Sequence, residues 1–173
     1  MTDPVAKARA FASRAHAGQT RKGPSAQPYI AHPEEVATLV AEFGGDSVAI
    51  AAAWLHDTVE DCAPTLADIE AEFGPDIAAV VAEVTDAPGL PSAERKRRQV
   101  AHAPHKSRAA ALIKLADKIS NVRSIARTPP DWTDARKRAY LDWAEAVVAA
   151  LPALPQTGIA RFEATLADAR ARL

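Results

Sequence analysis

The sequence predicts an all-α protein built as one domain, and three observations predict it. Apolar residues recur at helical spacing in most stretches between the prolines and glycines. The β-branched residues never alternate with polar ones over a sustained run, as a half-buried strand would require. The composition agrees, with aromatics at 5% among 48% apolar residues and no repeat, low-complexity tract or long linker in 173 residues. Roughly eight to ten helices, counting short ones, fit this pattern. A single compact domain over 1–173 is expected, long enough to bury a sizeable core.

Asp3 and Pro4 read as the N-cap and first residue of a helix over 4–16, with Val5, Ala8, Phe11, Ala12 and Ala15 on one stripe. A loop over 18–31, marked by Gly18, Gly23, Pro24 and Pro28, leads to His32. Pro33 suits a first helical position, which places His32 at the mouth of a helix over 33–43 that Gly44 and Gly45 stop. Asp46 caps a strongly apolar third helix that runs into His56 and Asp57. Thr65 with Asp68 makes a capping-box pattern for a short helix to Phe73, and Gly74-Pro75 opens another that ends near Thr85. After a loop over 86–91, Ser92 is expected to cap a highly charged helix over 93–103 that stops before Pro104. From Ser107, a stripe of Leu112, Leu115, Ala116, Ile119, Val122 and Ile125 runs on until Pro129-Pro130 closes it. A long helix over 133–151 follows, and beyond Pro152 and Pro155 an amphipathic helix over 159–173.

Lysine and arginine number 21 and aspartate and glutamate 22, a net charge of −1. No bulk positive field therefore points to nucleic acid or an acidic membrane, and an anionic partner must be held locally. The single cysteine, Cys62, excludes an internal disulfide framework and a thiolate zinc cluster. Asp3, Lys7, Arg9 and Arg14 interrupt the apolar residues near the start, unlike a secretory signal core. No stretch approaches the ~20 apolar residues of a membrane span. A cytoplasmic location is expected.

The strongest chemical signal is His56-Asp57 at the end of an otherwise apolar run. On a continuous helix His56 and Glu60 are i and i+4, as are Asp57 and Asp61, so four ionisable groups share one sector. Carboxylates crowded this closely repel unless a cation joins them. His32 at a helix mouth and Asp117, a single acid inside the 107–126 stripe, are candidates to complete the set. Two imidazoles and two carboxylates suit manganese, iron or zinc, and such a cation acidifies a bound water into a nucleophile for hydrolysis. His16, His102 and His105 are read as surface or core histidines rather than ligands.

The strings AHAGQTRKG (15–23), PYIAHPEEVA (28–37), AAAWLHDTVED (51–61), FGPDIAAVVAEVTD (73–86), ERKRRQVAHA (94–103), KLADKISNVRSI (114–125) and DWTDARKRAYLDWAEAVV (131–148) span nearly the whole chain. In these strings the sequence resembles the HD-domain (p)ppGpp hydrolases, specifically the stand-alone small alarmone hydrolases related to the hydrolase half of RelA/SpoT enzymes. The resemblance implies hydrolysis of the 3′-diphosphate of ppGpp or pppGpp to GDP or GTP and pyrophosphate. It implies one Mn²⁺ held by His32, His56, Asp57 and Asp117, with Glu60 and Asp61 acting on the attacking water. It also implies that Arg21, Lys22 and Asn121 contact the nucleotide, that Lys96, Arg136 and Tyr140 lie near the pyrophosphate, and that Trp132 borders the pocket. Arg95, Arg97, Arg98 and Lys137 are left as surface charge. Ser120 and Ser124 replace an aromatic and an acid frequent around the NVR string, and Ala87 replaces a second aspartate; neither departure is expected to touch a ligand. Two other readings remain: an HD phosphohydrolase acting on another nucleotide such as NADPH, and a catalytically silent nucleotide sensor.

Overall fold

The computed structural model describes residues 3–173, so Met1 and Thr2, the first residues of the expected domain, lie outside it. Ten α-helices and one 3₁₀ turn follow one another among the described residues, and no strand. They are α1 (Pro4–Ala15), α2 (Ala31–Glu42), α3 (Ser47–Leu55), the single turn α4 (Thr58–Asp61), α5 (Leu66–Phe73) and α6 (Pro75–Val84). After these come α7 (Ser92–His102), the 3₁₀ turn (Ala103–His105), α8 (Arg108–Arg127), α9 (Asp134–Ala150) and α10 (Gln156–Ala171). No helix is long and apolar enough to cross a membrane.

Small residues decide the packing. Ala49, Ala51, Ala52 and Ala53 of α3 are buried, and their short side chains let α3 lie close to α1, α2 and α6. Helix α8 is the axis of the molecule, packed against α2, α3, α6, α9 and α10, with every residue over 110–120 buried. That span includes Lys114, Asp117, Lys118 and Ser120. A charged group placed so deep must be paired, because an isolated buried charge is prohibitively unfavourable.

Local chemistry sets the helix ends. The side chains of Asp3, Asp46, Thr65, Ser107 and Thr133 accept from first-turn amides, and Thr65 with Asp68 completes the capping box. Helix α2 starts at Ala31 rather than Pro33, so His32 lies inside its first turn. Proline is tolerated at the third helical position because first-turn N–H groups have no helical acceptor anyway. Helix α3 stops at Leu55 instead of running through His56-Asp57: the His56 ring Nδ1 bonds the Ala53 carbonyl at 2.7 Å and Thr58 Oγ1 donates to the Leu55 carbonyl at 2.7 Å. The expected single helix is thus two, with His56 and Asp57 in the turn between. Ser92 is the first residue of α7 rather than its cap, the chain winds through Pro104 as a 3₁₀ turn, and α10 begins three residues before Ile159. Gly158 permits that early start, since a Cβ there would lie 2.7 Å from Leu115 Cδ2.

The segment between α1 and α2 is held as a closed loop by Arg21 N to Gln27 O (2.8 Å) and Tyr29 N to Gln19 O (2.9 Å). It lies over one end of α8 and presents Arg21, Lys22 and Tyr29 to the cleft described next.

Candidate active site

Three segments converge at the middle of α8. The first turn of α2 supplies His32, the α3–α4 turn His56 and Asp57, and α8 Asp117. His32 Nε2 lies 3.3 Å from His56 Nε2, 3.5 Å from Asp57 Oδ2 and 3.2 Å from Asp117 Oδ1. His56 Nε2 is 3.2 Å from Asp57 Oδ2 and 3.8 Å from Asp117 Oδ1. Both imidazoles are only 2% exposed.

The electrostatics of the cluster suit an exchange of a proton for a cation. Burial opposes charging His56, yet Asp57 and Asp117 outweigh it and push its pKa up to about 10, while burial drives His32 down. Burial also opposes ionisation of Asp57 and Asp117, but neighbouring positive groups, His56 for the first and Lys118 for the second, hold both below the usual carboxylate range. Without a cation, the charged His56 ring and the Lys118 ammonium between them balance the two carboxylates. Because His56 Nδ1 donates to the Ala53 carbonyl, the extra proton of the charged ring sits on the inward Nε2, and a cation bound there would displace it and take up the lone pair. Inward nitrogen lone pairs with two carboxylate oxygens are a mixed N/O set that fits a divalent transition metal.

Around this centre lie two adjoining cavities of about 600 Å³ and 370 Å³. Arg21, Lys22, Asn121, Trp132 and Tyr140 line the larger, and Lys96 and Arg136 line the smaller together with Asp57, Glu60, Asp61 and Asp117. Trp132 has the Arg136 guanidinium over its ring at 4.2 Å and the Lys22 ammonium at 5.9 Å. Lys96 stands 5.7 Å and 5.2 Å from the rings of Tyr140 and Trp143. The cationic groups thus rest on aromatic faces, which hold them without neutralising them. Asn121 Nδ2 donates to Asp117 Oδ1 at 2.8 Å, and Arg21 donates to Asn121 Oδ1 at 3.2 Å.

Glu60 and Asp61 reach the smaller cavity from α4. The Glu60 carboxylate accepts from the Asp86 amide at 2.5 Å, which ties it to the α6–α7 loop. Burial raises the pKa of both acids, with Asp57 adding to the effect on Asp61. The one-helix sector expected for His56, Asp57, Glu60 and Asp61 is therefore replaced by a turn and a new helical turn.

Several residues of the site were not expected. Tyr29 donates to Asp57 Oδ2 at 2.6 Å and stays protonated, since burial and the Asp57 charge raise its pKa. Lys118 bonds Asp117 Oδ2 at 2.9 Å and sits 4.3 Å over the Trp143 ring. Arg95, taken for surface charge, lines the smaller cavity 3.8 Å from Asp86. The signal was present: Ser92, Arg95, Lys96 and Gln99 repeat at helical spacing and all line that cavity. Ser120, expected to touch no ligand, lies 2.8 Å from His32 Nδ1. His16 is buried beside Cys62 and Gln19, outside the ligand set, while His102 and His105 are exposed.

The HD-domain sequence profile matches residues 8–144, most of the chain and all four converging residues. The chain belongs to the HD-domain family. This HD-domain protein is 47% identical over 150 residues to the guanosine-3′,5′-bis(diphosphate) 3′-pyrophosphohydrolase MESH1 of Xenopus tropicalis, covering 85% of this chain and 84% of that one. It is 48% identical over 144 residues to the Homo sapiens MESH1 of the same name, covering 82% and 80%. Among solved structures it resembles, with a TM-score of 0.92 and 35% identity over 100% of this chain and 98% of the other, a metazoan ortholog of SpoT described as hydrolyzing ppGpp and playing a role in starvation responses.

Proposed function

We propose that this HD-domain protein is a metal-dependent hydrolase that removes the 3′-diphosphate of ppGpp or pppGpp, releasing GDP or GTP and pyrophosphate. The observation that supports it most is the placement of two imidazoles and two carboxylates at the floor of a cleft whose walls bear Lys96, Lys118 and Arg136. Relatives with 47% and 48% identity, covered over 84% and 80% of their length, are named as enzymes of this activity. His32, His56, Asp57 and Asp117 would hold the cation, for which Mn²⁺ is the choice. When bound it supplies Lewis acidity toward phosphoryl oxygen and water.

The remaining work falls to the chain. The larger cavity takes the nucleoside, with Arg21 and Lys22 from the loop, Asn121 from α8, and Trp132 and Tyr140 forming its walls. Lys96 and Arg136 place positive charge where the leaving diphosphate accumulates negative charge, inside a cleft where such contacts are stronger than in water. Water attacks the phosphorus attached to the 3′ oxygen, that P–O bond breaks, and the 3′ oxygen gains a proton as the water loses one. Glu60 and Asp61 line the same cavity and would hold and move that proton, and burial raises the pKa of both. A cytoplasmic setting belongs to the same proposal and suits the unpaired Cys62.

The test is turnover of ppGpp by purified protein with Mn²⁺, reading GDP and pyrophosphate together. GDP and pyrophosphate in equal amounts are expected. No release rejects the proposal, and faster hydrolysis of NADPH by the same preparation transfers it to another nucleotide.

A further inference from the structure

We infer that Ser120, backed by Glu35, is a positioning residue for His32: it keeps the ring proton on Nδ1 and so turns the Nε2 lone pair to the cation site. The inference rests on the cation site proposed above and concerns how its first imidazole is prepared. Ser120 is fully buried on α8, one turn beyond Asp117. Its Oγ donates to Glu35 Oε2 at 2.6 Å, accepts from Arg21 Nη1 at 3.3 Å and faces His32 Nδ1 at 2.8 Å.

A hydroxyl has one proton and two lone pairs. A carboxylate can only accept, so the serine proton goes to Glu35, and one lone pair goes to Arg21. What faces His32 is the second lone pair, and Nδ1 must be the donor. Neutral imidazole then has no proton at Nε2, the atom that lies 3.2–3.5 Å from His56 Nε2, Asp57 Oδ2 and Asp117 Oδ1. Glu35 is itself held by Arg123 and sits three residues after His32 on α2, so the relay leaves that helix, passes through α8 and returns. The two histidines are oriented by different devices. His56 uses a main-chain carbonyl, which substitution cannot remove; His32 uses a side chain, which it can. Outer partners of this kind typically govern metal affinity by about 10–100-fold.

The same contacts could merely tie α2 to α8, and the experiment separates the two roles. Metal-free wild type, Ser120→Ala, Glu35→Ala, the double variant and Ser120→Thr are titrated with Mn²⁺ alone, with free Mn²⁺ read by electron paramagnetic resonance. Thermal unfolding of each metal-free protein is recorded alongside. Each single alanine variant is expected to bind Mn²⁺ about 10–100-fold more weakly. The double variant is expected to be no weaker than the worse single one, because both interrupt one relay. Ser120→Thr, which keeps the hydroxyl, is expected to retain most of the affinity. Unchanged Mn²⁺ affinity in Ser120→Ala with a lowered melting temperature overturns the inference in favour of a tie between helices, and additive losses overturn the relay. If Ser120→Ala does not fold, Glu35→Ala decides by the same criteria. Wild type that fails to bind Mn²⁺ overturns the cation site itself and this inference with it.

Discussion

Asp57 and Glu60 stand three residues apart and are expected to fail differently. Asp57 Oδ2 points into the cluster 3.2 Å from His56 Nε2, whereas Glu60 is turned to the Asp86 amide. Glu60→Gln should keep Mn²⁺ and lose turnover by about 10²–10⁴, as for general acid–base groups, while Asp57→Asn should lose Mn²⁺; bound metal and turnover measured in parallel check this. In its proposed role Glu60 would also set a pH dependence. Burial lifts its pKa above the ordinary 4.5, so it gains its proton earlier as the pH falls. At saturating Mn²⁺, turnover is expected to fade while the pH is still above 4.5, and the residual turnover of Glu60→Gln to lack that limb. His56, Asp57 and Asp117 were legible because their types, a polar pair ending an apolar run and a lone acid inside a buried stripe, are at odds with their surroundings. Tyr29, Ser120 and Lys118 were not, since what makes them part of the site is a contact across elements: Tyr29 to Asp57, Ser120 to His32, Lys118 to the Trp143 ring.

Helix α3 shows what sequence can and cannot say about an element. Its start was legible in Asp46, whose side chain accepts from the Ala49 amide at 2.8 Å, and Asp46→Ala is expected to lower unfolding stability by about 0.5–2 kcal/mol in urea denaturation. The adjacent Gly45 constrains the same corner by space. A Cβ there would lie 2.5 Å from Val40 Cγ1 and 2.9 Å from the Val40 carbonyl, so Gly45→Ala should cost about 1–3 kcal/mol by the same measurement. The end of α3 was not legible, because it is set by the His56 ring and the Thr58 hydroxyl turning back onto carbonyls of their own helix. No periodicity records that choice. The α2 start was missed for a related reason: Pro33 is equally compatible with the first and third helical positions, and the preceding turn decides between them.

For the whole molecule, a cation held as proposed would join α2, the α3–α4 turn and α8 and would bind only when all three are in place. Mn²⁺ at 100 times its dissociation constant is then expected to stabilise the fold by about 2.7 kcal/mol. At about 2–4 °C per kcal/mol for a domain of this size, adding a chelator should lower the melting temperature by about 5–10 °C. Asp57→Asn should melt at the same temperature with or without Mn²⁺. The burial of α8 over 110–120 reaches further. A helix packed against α2, α3, α6, α9 and α10 is the element with the most neighbours to displace before it is bared. Its amides should therefore exchange hydrogen with solvent only when the entire chain unfolds, and they should be the slowest in the protein. Asp117, Lys118 and Ser120 are then expected to share the lifetime of the native state, so that adjustment to a ligand falls to the loop that holds Arg21 and Lys22 and to α7.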